Sequence, residues 1–491
     1  MASGTRRFHL CAGPDALDQN PELMETARWA GVETIWLAGF LYGHWYYDPE
    51  RTNAWAARIR KAGMRAEMIH VPLGHPGDSL GAQNGSPPLI PPGHWRQAVR
   101  VDGSRHWGTS LHAPAVEENE AAVRRWARSG FRQLFLDDDF RLATGPGKIG
   151  GCHCDEHWQR FRSKLGYDDG AREKLKEDME SRSLSPIVRA WVEFHCDELS
   201  NCFQRAAKAT RDIQLGVMAM YLGSEKAGIR LKDYAGAPFR VGELMFEDRQ
   251  FDPVKGKTDE LFSSLFHRRF ASPELSFSET TAFPAQKLSA RNMAAKLAVS
   301  TLSDVRNTMF MSGLTPFPLT HWETLRPAMR RQAALHERVA GLRPHGPFKH
   351  YWGEASRYVG ADKPYSLFLA AGIPFEVCGA APHDGWTFLS DDDARTVKQS
   401  PGTRWVTRKD VPETLADLFA LRRRILPELG RTPHIEEELP AVCSWLRERR
   451  QALIWNLSPE AKTLTVRYGG WRRRVETEAL GLEVVDLGDP G

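Results

Sequence analysis

The 491-residue chain has no apolar run approaching the roughly 18–20 residues that cross a bilayer. Its opening residues, Met1 to Arg7, lead straight into a strand-like segment and hold no signal-peptide apolar stretch. Cysteine is sparse: seven scattered residues, an odd number, argue against a disulfide scaffold and suit a reducing compartment. Charge imbalance is nearly absent, since 66 basic against 62 acidic side chains leave only +4. That gives no electrostatic case for nucleic acid or an anionic membrane as partner. No Gly-x-Gly-x-x-Gly turn follows the first strand-like segment, and neither internal repeats nor low-complexity stretches are evident. The expectation is a cytoplasmic protein that binds neither nucleic acid nor membrane.

What the chain does have is 41% hydrophobic and 26% charged residues, close to globular averages, with 16 Trp and 23 Phe. Indole faces form sugar platforms and equally fill cores, so composition alone serves either use. Short apolar runs rich in β-branched and aromatic residues occupy 8–13, 33–39, 65–73, 133–138, 214–220, 240–245, 275–278 and 307–312. Helix-length amphipathic stretches lie between them at 21–30, 53–62, 116–129, 157–165, 187–210, 257–269 and 288–302. Continuous apolar strands alternating with helices predict a parallel sheet covered by helices, and eight such units predict an α/β fold of the (β/α)8 TIM-barrel type. A doubly wound sheet is the alternative, disfavoured by the missing glycine turn. The long insertions, 74–115 after the third strand and 140–150 after the fourth, fall on the C-terminal face, where such barrels keep their chemistry. Residues 74–103 read as a loop and a candidate lid. Beyond the barrel (1–342), runs at 366–371, 373–378 and 386–389 suggest strands of a small α/β domain over 343–430. Alternating segments at 453–456, 463–468, 471–477 and 482–486 suggest a C-terminal β-sandwich over 431–491.

The most informative run is Leu134-Phe135-Leu136-Asp137-Asp138-Asp139-Phe140-Arg141, an apolar strand ending in three adjacent carboxylates. Clustered negative charges force their protonation apart unless cations intervene, a strain best tolerated where it is used. The plainer alternative is a loop of solvated acids and helix caps. A second acid, Glu279, ends the seventh strand-like run and would face the first group across the barrel mouth. Two carboxylates so placed can hydrolyse a glycosidic bond, one protonating the leaving oxygen while the other attacks the anomeric carbon or activates water. Glu247 and Asp248, after the sixth strand, are candidate substrate or supporting groups, with Arg249 and Lys255 as obvious ion-pair neighbours. Tyr42, His75, Trp107 and His112 lie on expected C-terminal loops as candidate subsite contacts, as do His44, Trp45 and His106, and Arg141 joins them beside the acids. Finally, Cys152-His153-Cys154-Asp155-Glu156-His157 has the form Cys-x-Cys-x-x-His, which can supply three ligands, Cys152, Cys154 and His157, to one structural zinc. Two free thiols and a surface histidine at a helix start are the other reading.

The order of strand-end acids, Cys-x-Cys loop and helix with an aromatic (Phe161) resembles the family 42 glycoside hydrolases, β-galactosidase-like barrels of clan A. The resemblance implies a (β/α)8 barrel followed by a middle α/β domain of trimerising type and a small C-terminal β-domain. It places the acid/base on Asp139, where the family has Glu, and Asp138 where the family has Asn. It places the nucleophile on Glu279. His157 falls where the family has a third cysteine, and His106 or His112 would replace an upstream fourth one. The expected activity is hydrolysis of an O-glycosidic bond in a small oligosaccharide or glycoside. Retention is expected, with the shorter Asp139 leaving inversion open; no cofactor is required for catalysis, and a trimer is implied. The rival expectation is a non-catalytic carbohydrate-binding or regulatory protein on a degenerate barrel. A metal-dependent hydrolase using the 137–139 acids ranks last, because the first strand offers only His9 rather than a His-x-His pair.

Overall fold

The computed structural model describes residues 5–73, 90–137, 140–210, 212–241, 244–313 and 315–490, without the Trp107 side chain. Eight strands run in sequence: β1 (Arg7–Cys11), β2 (Thr34–Leu41), β3 (Arg65–Val71), β4 (Gln133–Leu136), β5 (Gln214–Ala219), β6 (Phe239–Val241), β7 (Ser276–Thr281) and β8 (Asn307–Met311). Each pairs in parallel with the next. β8 pairs back to β1, Arg7 opposite Asn307 and Leu10 opposite Phe310, so the ring closes into a (β/α)8 barrel. Three barrel helices start at a side-chain cap. Asp48 accepts from the amides of Glu50 and Arg51 ahead of Pro49–Lys61, Ser185 from Val188 ahead of Pro186–Ala209, and Ser289 from Asn292 ahead of Ala290–Ser303.

Alternate strand residues turn inward, and they fill the barrel rather than leave a pore. Cys11, Trp36, Ile69, Phe135, Phe277, Met309 and Met311 form this plug. The Phe135 ring lies 4.9 Å from both Trp36 and Phe277. Two differences from the sequence expectation bear on the site. The described strand β6 is Phe239–Val241, with 244–245 outside any strand, and β7 extends through Thr281, which places Glu279 within a strand. The insertion after β3 is not all loop either: Gln97–Val99 and Arg105–Thr109 pair as a small antiparallel hairpin.

Four further parallel strands, β9 (Phe348–Tyr351), β10 (Phe375–Cys378), β11 (Asp384–Phe388) and β12 (Gly402–Val406), form a sheet in the order β10-β9-β11-β12. The run read as a strand at 366–371 is instead a 3₁₀ turn, Ser366–Ala370, buried along its whole length. A short all-apolar run carries no period that separates a strand from a buried helical turn. The tail makes two antiparallel three-stranded sheets. One contains β13 (His434–Ile435), β16 (Lys462–Tyr468) and β17 (Trp471–Thr477); the other contains β14 (Ala441–Leu446), β15 (Gln451–Asn456) and β18 (Leu482–Asp486). They enclose Ile435, Cys443, Ile454, Leu464 and Val466 as a sandwich. All seven cysteines are free, and no helix among the described residues is long and apolar enough to cross a membrane.

The barrel is tied to the following sheet by a buried ion pair. Lys226, between β5 and β6, meets Asp362 at 2.5 Å, with side chains only 1% and 3% exposed. Lys226 also donates to the Ser356 carbonyl at 2.9 Å, and Asp362 accepts from the Gly147 amide at 2.7 Å. Each is the other's counter-charge, so removing one leaves the second buried and uncompensated. Asp362→Ala is expected to cost about 3–5 kcal/mol in urea unfolding, whereas Lys226→Met with Asp362→Asn, which tolerates the φ of 56° and keeps an acceptor for the Gly147 amide, is expected to recover most of that loss. A single substitution as benign as the double would show the pair to be dispensable.

Acid stability is set by neutral histidines in the interior. Burial pushes His9 and His350 down to about 3, and His70 and His267 down to about 4. In the unfolded chain each titrates near the ordinary 6.5. Above that value both states are neutral and pH has no effect through these groups. Below it the unfolded chain binds more protons, so stability is lost as pH falls toward the folded-state values. The midpoint of thermal unfolding is expected to hold near neutrality and to drop below about pH 6, at up to about 1.4 kcal/mol per pH unit for each histidine. A flat profile down to about pH 4.5 would contradict it.

Candidate active site and thiol–imidazole cluster

Inward alternation carries the two candidate acids to the same end of the barrel. On β4 the inward Phe135 is followed two residues later by Asp137; on β7 the inward Phe277 is followed by Glu279 and Thr281. Glu279 is 4% exposed, and its Oε1 accepts from Thr281 Oγ1 at 2.9 Å. The Asp137 amide donates to the His70 carbonyl at 2.9 Å and its carbonyl accepts from the Phe140 amide at 2.8 Å. Its carboxylate accepts from Arg240 on β6, a guanidinium with no exposed surface. Beneath them the Cys11 thiol at the end of β1 is pushed up to about 12. Burial is the main cause; Asp137 and Glu279 add to it and Arg240 opposes them. Both acids and the arginine therefore act on one buried sulfur.

Asp138, Asp139 and His75 lie outside the described residues, as does the Trp107 side chain. Arg141 is buried against Met220, its Nη1 2.8 Å from the thioether sulfur, in a narrow cleft that Lys226 and Asp362 also line. Tyr42 follows β2 at a φ of 53° and packs with Leu41, Tyr46, Tyr47 and Val71. Asp248 is occupied elsewhere. Its carboxylate accepts from the Ser289 amide at 2.8 Å and hydroxyl at 3.0 Å and from Asn292 Nδ2 at 2.8 Å, capping the helix Ala290–Ser303. Glu247 pairs with the exposed Arg249 at 2.9 Å. Arg240 escaped the sequence reading. Its only signal was a lone cation between Phe239 and Val241, and a charge in so apolar a strand must either end it or meet an acid inside.

The cysteine motif folds back on the preceding loop. One donor atom from each of His112, Cys152, Cys154 and His157 lies within 4.8 Å of the others. His112 was expected both as a substrate contact and, with His106, as a candidate fourth ligand; it stands in this cluster. Cys154 Sγ is 3.3 Å from His112 Nε2 and 3.3 Å from His157 Nδ1. Glu156 sits 3.1 Å from His112 Nδ1, which turns the Nε2 lone pair toward the sulfur, and Arg96 pairs with Glu156 in turn. Cys152, hydrogen-bonded to Cys154, pulls that thiol well below its ordinary value, helped by the two imidazoles, and its own thiol is raised in return. Two sulfurs and two imidazoles, with one thiol drawn toward its anionic form and a ring oriented by a carboxylate, fit a tetrahedral metal ion.

Barrel, parallel α/β sheet and terminal sandwich together are the architecture of the family 42 β-galactosidases, and solved structures share it over nearly the whole chain. A β-galactosidase from the Antarctic haloarchaeon Halorubrum lacusprofundi superposes with a TM-score of 0.63 at 12% identity, covering 98% of this chain and 99% of that one. A β-galactosidase from Bacillus circulans sp. alkalophilus gives 0.62 at 10% identity, with 98% of each chain covered. An α-L-fucosidase from Paenibacillus thiaminolyticus gives 0.56 at 10% identity, covering 99% and 100%. No protein-family model matches the sequence, and no curated protein does. At such identities the likeness concerns the fold.

Proposed function

We propose that the chain is a glycoside hydrolase that cleaves an O-glycosidic bond of a small oligosaccharide or glycoside, in the manner of a β-galactosidase. The observation that carries this reading is Glu279: a buried carboxylate, inward on β7, at the end of the barrel where β4 delivers its acids. Glu279 attacks the anomeric carbon while Asp139 gives its proton to the leaving oxygen. Asp139 then takes a proton from the water that displaces Glu279, so configuration is retained. Thr281 orients the attacking carboxylate through its hydrogen bond to Oε1. The same reading implies a homotrimer.

Loss of the nucleophile should be severe and chemically rescuable. On aryl β-galactosides, Glu279→Ala is expected to lower kcat by roughly four orders of magnitude, with azide restoring turnover as an inverted-anomer glycosyl azide. Asp139→Ala is expected to spare activated aryl leaving groups more than native disaccharides. Turnover independent of Glu279 would end the proposal. A second reading, sugar binding without hydrolysis, draws on the Asp that stands in place of the family's Glu; it predicts affinity for glycosides unchanged by Glu279→Gln.

The thiol–imidazole cluster would hold zinc through Cys152, Cys154, His112 and His157 as a structural ion, fastening the loop after β4 to the loop before the helix Ala115–Arg128. Elemental analysis is expected to find close to one zinc per chain, lost in Cys154→Ser along with several degrees of thermal stability. A metal-free preparation with full thermal stability would refute the site.

A further inference from the structure

Among the inward side chains at the level of the acids, one has no part in the double displacement above. Arg240 lies opposite Met218 of β5 and Phe277 of β7, one inward position below Glu279. Its guanidinium rests on an uncharged floor: Nη1 is 3.1 Å from the Met309 sulfur, Nη2 is 2.7 Å from that of Met218, and the Phe135 ring centre is 5.7 Å away. From that floor Nη2 reaches the Asp137 carboxylate. Asp137 from β4, Glu279 from β7 and Arg240 all act on the Cys11 thiol of β1, and Glu279 stands one inward residue beyond Phe277, the register partner of Arg240 on β7. Trp36 and Ile69 of β2 and β3 complete the apolar plug with Met309 of β8. His9, also on β1, is held neutral and hydrogen-bonded to Asn307.

A buried cation is costly unless anions meet it, and two carboxylates in one dry site repel unless a cation divides them. Each requirement answers the other. We propose that Arg240 is a positioning residue for the reaction: its fixed positive charge, tied to Asp137, lets Asp137 and Glu279 be ionised together and so keeps Glu279 available as a nucleophile at neutral pH. This rests on the reading of Glu279 as nucleophile. The arginine does not touch substrate; it acts through the charge balance of the site. Its planar fork suits a carboxylate held from below, and a guanidinium stays charged where a buried ammonium would shed its proton.

The test is the pH dependence of kcat/KM on an aryl β-galactoside for wild type, Arg240→Met, Arg240→Lys and Arg240→Met with Asp137→Asn. Methionine matches the floor already made by Met218 and Met309. Arg240→Met is expected to move the acid limb up by about one pH unit or more and to lower kcat with little change in KM. Arg240→Lys is expected to return the limb part of the way, and the double variant, which removes both charges, to bring it close to wild type. An Arg240→Met limb that stays in place while kcat falls would reduce Arg240 to packing and overturn the inference. If Arg240→Met does not fold, Asp137→Asn decides: a limb moved to lower pH supports the charge balance, and an unmoved limb overturns it.

Infrared difference spectra of the carboxyl stretch, with Glu279→Gln as reference, read the titration of Glu279 without turnover. A shift caused by Arg240→Met in a protein that hydrolyses no glycoside would leave the charge balance standing and sink only the glycosidase reading. No shift in an active enzyme would sink only the inference.

Discussion

Everything at the mouth of this barrel depends on the closure of its eight-strand ring. Closure fixes which residues point inward, and a ring of eight leaves room only for side chains. The plug of Trp36, Phe135, Phe277 and the methionines therefore excludes water from the layer on which the acids stand. In that setting charges are weakly screened, and a carboxylate or guanidinium placed there must find its partner within the ring. Asp137 and Arg240 do so across the strand that separates them, β5, which contributes Met218 at that level. The dry floor and the charged layer above it are one construction. The first makes the second strong, and the second is tolerable only because its charges are matched.

The outer parts of the site rely on different cohesion. The loops after β3 and β4 are long, and the second sends Phe140 and Leu142 into the main core. The helices that follow β4 instead pack a satellite cluster, Trp158, Phe161, Trp191 and Phe194, away from the plug. His112 comes from one loop, Cys152 and Cys154 from the next, and His157 from the first turn of the helix Asp155–Leu165. A metal held there, as proposed, would join the two loops and the helix. The buried Lys226–Asp362 pair does the corresponding work between the barrel and the following sheet.

The barrel was legible in the sequence because parallel strands buried on both faces read as continuous apolar runs, and all eight stand within a few residues of their expected positions. Glu279 was legible as a strand-end acid, and its extension into β7 only strengthens its inward orientation. The 3₁₀ turn at Ser366–Ala370 was not legible, because its run of apolar residues has neither period. His112 could be named only as one of two candidates, since nothing in the spacing from His112 to Cys152 says which upstream imidazole the loop will reach. Arg240 was invisible for a related reason. Its partner lies two strands away around the ring, and only closure brings the two together.

That pairing also distributes roles among the three consecutive acids. A general acid must hold a proton at working pH, which a carboxylate bonded to a permanent cation does not do. Asp137, committed to Arg240, is therefore the least suited of the three to protonate a leaving group. It is well suited to another task. A lasting negative charge beside the remaining acids favours a proton on one of them, just as two carboxylates divide acid and nucleophile duties when their surroundings push them apart. The arginine inside the barrel commits one acid of the run to a permanent cation, which fits the proposal that a neighbouring acid is the proton donor. The motif's excess of acid, which on its own resembles a solvated loop, thus has one member tied to a residue about a hundred positions downstream.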